Sequence, residues 1–329
     1  MEYTTLGRTD IEVSRICMGC WAIVDPDTWG PQDEKDAVAA IEASLDEGVN
    51  FFDTAESYGN GASEELLGRV LEPYRDQVVL ATKLRSSCMR RDQAIRECEK
   101  SLRRLRTDCI DLFQIHWPDH DLPFEETAEA LDTLLHQGKI RAVGVSNFGP
   151  KDLTDFLDVA RTEVNQIAYN LLFRAPEYEL LALCAEHDVS VLCYSAIAEG
   201  LLTGKFETAD DVPAGRARTR HFSGEREQAR HGAPGAEAEV FEAIDRVRQI
   251  ADRAGAPMVQ LAIAWLLWQE AVACAIVGAR NEQQARENAR SADIELPDDT
   301  VDELAQATEP VKEALGPNLD MWQADSRIR

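Results

Sequence analysis

NFFDTAESYGNGASEELLG, residues Asn50 to Gly68, decides how the whole chain is read. Val49, Phe51 and Phe52 form a short apolar run that ends in Asp53. A Gly-rich loop carrying Tyr58 follows, and then a helix opening at Ser63. The local order is therefore strand, loop, helix. A carboxylate at a strand end and a phenol five residues later form a candidate catalytic pair. A phenol with a pKa of about 10 is a poor acid at neutral pH unless a cation and hydrogen bonds tune it. The rest of the chain should then supply a cation for Tyr58 and a group to hold a substrate.

Working outward, the same unit repeats. Upstream, Tyr3 to Leu6 and Glu12 to Ser14 flank the polar turn Gly7-Arg8-Thr9-Asp10, a hairpin pattern. Arg15 to Met18 is a further apolar run ended by Gly19. Ala37, Val38, Ile41 and Leu45 then recur at helical spacing up to Gly48. Downstream, the expected strands are Val78 to Thr82, Cys109 to Ile115, Ile140 to Val145, Val164 to Ala168, Val189 to Cys193 and Ala273 to Val277. Helical periods separate them, at Asp92 to Leu105, Glu125 to His136, Pro150 to Ala160, Glu177 to Glu186, Ala236 to Ala254, Met258 to Trp268 and Glu282 to Arg290. Glu207 to Gly235 breaks the rhythm and reads as an irregular insertion, a candidate lid or a disordered loop. A tail helix is expected over Asp298 to Ala307, followed by an irregular end with Trp322.

Eight strand–helix units after a hairpin imply a parallel sheet. That number favours an α/β fold of the closed (β/α)8 TIM-barrel type. The expected additions are an N-terminal β-hairpin, an inserted loop before the seventh barrel helix, and a C-terminal helix and tail. The competing open doubly wound sheet wants a GxGxxG after its first strand, and none is present. No linker interrupts the pattern, so residues 1–329 are expected to form one domain.

Composition narrows the function. With 60 acidic against 34 basic residues the net charge is −26, which disfavours nucleic acid as a partner. The acidity fits either a solvated surface or adaptation to a salty cytoplasm. MEYTTLGRTD lacks a secretory h-region, and the apolar run Met258 to Trp268 is too short to span a bilayer. A cytoplasmic protein with no membrane partner is expected, its eight cysteines reduced. Cys17 and Cys20 form a lone CxxC with no second pair, so no metal site is expected.

In such barrels, active sites sit at the C-terminal ends of the strands. Asp53, Lys83, His116, Ser146, Asn147, Gln166, Tyr194 and Ser195 all fall there. Lys, His and Gln are not turn formers. Lys83 should meet Asp53, remain cationic, and lower the pKa of Tyr58, so that the phenol can give a proton to a carbonyl oxygen. His116 would orient the same oxygen. Trp21, Trp29, Trp117 and Phe148 follow strand ends and are candidates for the substrate wall, with Trp322 covering it from the tail.

These residues resemble the aldo-keto reductase superfamily over nearly the whole chain. The opening stretch is similar to the family segment D-T-A-x-x-Y-G-x-G-x-S-E-x-x-L-G. DLFQIHWPD (Asp111 to Asp119), VGVSNF (Val143 to Phe148), VNQIAYN (Val164 to Asn170), YSAIAEGLLTGK (Tyr194 to Lys205) and GARNEQQAREN (Gly278 to Asn288) resemble five further motifs in order. The resemblance implies a nicotinamide-dependent carbonyl reductase with Asp53, Tyr58, Lys83 and His116 as its catalytic set. It implies that Ser146, Asn147 and Gln166 hold the nicotinamide carboxamide and that Tyr194 stacks on the ring. Ser195, Gly200, Leu201 and Lys205 match a loop over the pyrophosphate. Arg280, Gln284, Glu287 and Asn288 match the adenosine end, and Gly19, Trp21 and Gly278 complete the cofactor set. Arg280 suits a 2′-phosphate, so NADPH is the expected cofactor, with NADH admitted. Trp21, Tyr58, His116 and Trp117 are the expected contacts of a small carbonyl or alcohol substrate. A homo-oligomer is left open. The alternative is a nicotinamide-nucleotide-binding regulatory or interaction subunit with little turnover, since potassium-channel β subunits resemble the same family.

Overall fold

The computed structural model describes residues 1–329. Eight parallel strands close into a barrel: β3 (Ile16–Gly19), β4 (Phe51–Asp53), β5 (Val79–Leu84), β6 (Ile110–Ile115), β7 (Ile140–Ser146), β8 (Val164–Ala168), β9 (Ser190–Tyr194) and β10 (Val272–Gly278). Each pairs with the next in chain order, and β10 closes on β3 with Gly278 opposite Gly19. The expected (β/α)8 architecture is therefore observed. The antiparallel hairpin of β1 (Tyr3–Thr5) and β2 (Glu12–Ser14) lies outside the barrel sheet. Its Leu6, Ile11 and Val13 are fully buried, and they pack with inward-facing Phe51, Val79, Leu112 and Leu192 as an inner core. The hairpin thus plugs the barrel floor.

A second apolar layer joins the strands to the surrounding helices. Those helices include α2 (Glu34–Asp46), α3 (Ala62–Leu71), α4 (Arg91–Arg104) and α5 (Phe124–His136). The first of them starts at Asp33, whose carboxylate accepts from the Lys35 amide and so satisfies an otherwise orphaned helix N–H. No helix is long and apolar enough to cross a membrane.

Three local expectations change. The tail helix, Asp298–Leu315, runs well past Ala307 and through Pro310. Proline removes one helix N–H. The buried stripe Val301, Leu304, Ala307, Val311 and Leu315 continues on both sides of it, and packing against the helix Glu237–Ala254 outweighs the lost bond. The helix expected from Glu177 is broken at Glu179 (φ −153°) and resumes only over Leu180–Glu186. The 207–235 segment is irregular but packed. Val212, Ala217 and Phe222 are buried, the Arg220 amide donates to Met321 O (2.8 Å), and Arg220 Nη2 donates to Leu315 O (2.7 Å). The insertion and the tail are therefore stitched together as one cover.

Candidate active site

Asp53 and Lys83 end or nearly end neighbouring strands, so the parallel register itself brings them together. Lys83 Nζ donates to Asp53 Oδ1 at 2.6 Å and to Thr54 O at 2.7 Å, and lies 3.5 Å from the Tyr58 hydroxyl. Asp53 and Lys83 are 2% and 1% exposed, deep enough that an unpaired charge would be intolerable. Asp53 Oδ2 is also satisfied, accepting from Gln166 Nε2 (2.8 Å) and Gln114 Nε2 (3.3 Å). Burial drives the Lys83 ammonium toward a lower pKa, but Asp53 and Tyr58 outweigh it and hold Lys83 above its ordinary value. Lys83 is a permanent cation.

The loop carrying Tyr58 is fixed from below. Glu64, fully buried in the first turn of α3, accepts from Thr82 Oγ1 (2.6 Å) and from Arg104. Thr82 precedes Lys83 on β5, so the same strand anchors the Tyr58 loop and supplies its cation. Gly61 starts α3 at φ +97°, where a Cβ would stand 2.7 Å from Arg104 Cδ. Only glycine allows that approach.

The tuning of Tyr58 runs opposite to expectation. Burial pushes its phenol above the ordinary value, Asp53 adds to that, and the pull of Lys83 offsets only part of it. Tyr58 therefore keeps its proton throughout the neutral range. The His116 ring stands edge-on to it, with centroids 5.9 Å apart. Burial, then Lys83 and Arg85, pushes the His116 pKa down to about 3, so the imidazole is neutral. Neither of its ring nitrogens bonds to the protein, which leaves one N–H free to donate.

A cavity of about 770 Å³ opens over these groups. Its lining brings together Tyr58, His116 and Trp117 with Arg280, Gln284, Glu287 and Asn288, and with Gly19, Trp21, Ser146, Asn147, Gln166, Tyr194, Ser195, Gly200, Lys205 and Gly278. Lys83 lies beneath, behind Asp53 and Tyr58. Tyr194 donates to Asn147 Oδ1 (2.7 Å), Asn147 Nδ2 donates to His116 O (3.0 Å), and Ser146 Oγ donates to Gln166 O (2.9 Å). Asn147 and Ser195 adopt left-handed φ of 61° and 54°, strained for non-glycine residues.

Two expected residues, Leu201 and Phe148, need correction. The Leu201 side chain is packed in the core and does not reach the cavity, because its turn folds it inward. Gln166 lines the cavity, with its Nε2 given to Asp53 and its Oε1 accepting no bond from the protein. Phe148 is fully buried against Phe124 and Phe156 and forms no part of the substrate wall. Arg280 is engaged as well: its guanidinium donates to Gln32 Oε1 (2.8 Å) and to the carbonyls of Trp29, Gly30 and Pro31.

Several residues of the site escaped sequence reading. Gln114, which supports Asp53, was visible as the one polar residue late in an apolar strand. Glu199, Arg216 and Arg218 also line the cavity. A Cβ on Gly200 (φ +91°) would stand 3.4 Å from Arg216 Nη1 and 3.7 Å from Lys205 Nζ, so two cations converge on bare backbone. Glu199 Oε2, Arg216 Nε, Arg218 Nε and Trp29 Nε1 are buried without hydrogen-bond partners. Orphaned polar atoms around a cationic glycine cradle fit a bound dinucleotide with its phosphates there. No three His, Cys, Asp or Glu side chains converge as a metal site.

A (β/α)8 barrel with a lysine–tyrosine pair and a neutral histidine at its mouth is built for proton transfer to a carbonyl or from an alcohol. The chain matches the Aldo/keto reductase family over residues 15–309 and belongs to it. That family comprises oxidoreductases acting on carbonyl and alcohol groups. The chain is 38% identical over 299 residues to aldo-keto reductase YhdN of Bacillus subtilis, covering 86% of each chain. It is 32% identical over 335 residues to the NADH-specific methylglyoxal reductase of Escherichia coli (94% of this chain, all of that one). It is 30% identical over 312 residues to a probable voltage-gated potassium channel subunit beta of Arabidopsis thaliana (89% and 92%). Among solved structures it resembles a glycerol dehydrogenase from Gluconobacter oxydans (33% identity, TM-score 0.79, 96% of both chains). It also resembles an aldo-keto reductase from Klebsiella pneumoniae in complex with NADPH (29%, TM-score 0.75, 94% and 96%).

Proposed function

We propose that this chain works as a single-domain, NADPH-dependent reductase of an aldehyde, ketone or sugar carbonyl, with Tyr58 as the proton donor and NADH as an admissible substitute. The observation that carries the reading is the chain of contacts Asp53–Lys83–Tyr58 at the cavity floor. Bound NADPH would supply the hydride to the carbonyl carbon. The protein does the rest. The Tyr58 hydroxyl gives its proton to the carbonyl oxygen, and Lys83 stabilises the phenolate charge as it develops. Asp53 holds Lys83 in place and keeps it charged. His116, neutral, donates a hydrogen bond to the same oxygen and fixes its direction. Asn147 and Ser146 offer amide and hydroxyl groups to the nicotinamide carboxamide, Tyr194 backs the ring, and Lys205 and Arg216 meet the phosphates. The Klebsiella pneumoniae relative was solved with NADPH, whereas the Escherichia coli relative is NADH-specific; Arg280, which lines the cavity, supports the phosphorylated form here.

The test is NADPH consumption with a panel of aldehydes by wild type and Tyr58→Phe. Turnover should fall by about 10²- to 10⁴-fold in the variant, the usual size of a lost general acid. NADPH binding should persist. If wild type oxidises no NADPH above buffer and Tyr58→Phe behaves identically, the reductase reading fails. The regulatory-subunit reading, supported by likeness to the channel β subunit, then replaces it.

A further inference from the structure

Arg218, in the irregular segment after β9, lines the same cavity as Tyr58. Its guanidinium carbon lies over the Trp322 ring at 5.2 Å and over the Trp21 ring at 5.7 Å. Trp21 in turn stacks on Tyr58, with centroids 6.1 Å apart. One indole therefore separates this cation from the proton donor. Arg218 is half-buried, yet no carboxylate lies within ion-pair distance of it. Its one hydrogen bond is a long 3.4 Å contact to Thr28 Oγ1, and its Nε is buried without a partner. Holding a guanidinium this way is unfavourable unless something completes it.

The neighbouring charges do not complete it. Glu199 spends Oε1 on the Ser195 hydroxyl (2.6 Å), and its Oε2 is itself unpartnered, so the two side chains do not bond. Burial pushes the Glu199 carboxyl up, weakening it as a counter-ion. Lys205 and Arg216 converge on Gly200, at the phosphate cradle, whereas Arg218 is turned to the tryptophan wall. Arg327, another cation lining the cavity, is neutralised by Asp320 (2.7 Å). In a chain of net charge −26, an uncompensated guanidinium beside the reaction centre is a specific device.

Resting on the reductase reading, we propose that the carbonyl compound reduced here carries a carboxylate, and that Arg218 grips it. Guanidinium presents a planar fork of N–H donors that matches carboxylate geometry. With the cation backed by two indoles, its outward edge is free for that purpose. Trp21 and Trp322 then clasp the carbon skeleton between the carboxylate and the carbonyl. The reduction itself is unchanged: hydride to the carbonyl carbon, proton from Tyr58 to its oxygen.

The experiment compares 4-formylbenzoate with 4-formylbenzamide, nearly isosteric aldehydes differing in charge. Wild type should prefer the carboxylate by about tenfold or more in kcat/KM, the size of a charge-assisted pair, mainly through KM. Added salt should raise KM for the carboxylate and leave that for the amide flat. In Arg218→Gln the preference should collapse to about unity, and Arg218→Lys should recover part of it. NADPH affinity, read from quenching of tryptophan fluorescence, should move less than twofold. A wild type with no preference overturns the inference while leaving the reductase reading intact. A preference that survives in Arg218→Gln overturns it, and so does a comparable loss of NADPH affinity, which would place Arg218 on the cofactor phosphates. Reduction of neither aldehyde, nor of any other, would end both readings. If Arg218→Gln does not fold, the wild-type preference and its salt response decide alone.

Discussion

The two sides of the cavity are built on opposite principles. On the floor, Asp53, Lys83 and Gln166 belong to barrel strands; Lys83 and both Asp53 oxygens are bonded, and the Gln166 amide nitrogen is committed. On the cover, Arg216 and Arg218 come from an irregular segment and Glu199 and Trp29 from single short helical turns, and all four leave buried polar atoms unpartnered. The floor is finished before any ligand arrives; the cover is finished by the ligand. Strand ends hold groups to the tolerance that proton transfer needs, whereas loops can be re-dressed for a new substrate without moving the floor.

Lys83→Met would break the floor. It should cut turnover by about 10³-fold, within the range for acid–base groups, while NADPH binding measured by fluorescence stays within about threefold. It should also lower the melting temperature, because Asp53 would be left buried and unpaired, a loss of about 3–5 kcal/mol. A binding loss as large as the rate loss would show that Lys83 serves the cofactor and not Tyr58.

Arg280→Ala tests the cover. NADPH affinity should weaken by about tenfold, the worth of one charge-assisted contact to phosphate. NADH should weaken less, through loosening of the Trp29–Gln32 loop that this guanidinium ties down. Equal weakening of both would confine Arg280 to holding that loop.

The smallest effect expected is the absence of one. With the His116 pKa near 3, the group is neutral at and above pH 5, and the pH profile of kcat/KM for reduction should show no inflection near 6.5. The raised Tyr58 pKa has the opposite sign of consequence: the reducing form is the protonated phenol, so activity is retained as pH rises and declines only above the ordinary phenol range. An inflection between pH 6 and 7 that disappears in His116→Gln would mean that His116 titrates, and the floor would not be as dry as its geometry indicates.

The same contrast explains what was legible in the sequence. The strand ends were, because β-α alternation assigns each a place on one rim; Asp53, Lys83 and His116 needed no further information. Gln114 was overlooked because one polar residue inside an apolar strand says little about which side it faces. Arg216 and Arg218 lie where no period exists to place them, so their convergence on Gly200 and Trp21 is a property of the folded chain only. The direction of the Tyr58 shift was misjudged for a related reason. The charge on Lys83 is written in the sequence, but the depth at which the phenol sits is not, and depth won. The tail helix runs the other way, continuing through Pro310 because a packed stripe on both sides of it outweighs a local helix-breaking rule.

The hairpin plug has a consequence for turnover. Leu6, Ile11 and Val13 close the lower end of the barrel, with at most 1% of each exposed. That packed layer lies on the side of the barrel away from the cavity that Tyr58 lines. Under the proposed reductase mechanism, each proton that Tyr58 gives up is replenished through the mouth that also admits the carbonyl compound and discharges the alcohol. Reprotonation of the phenol and departure of the product then share one doorway.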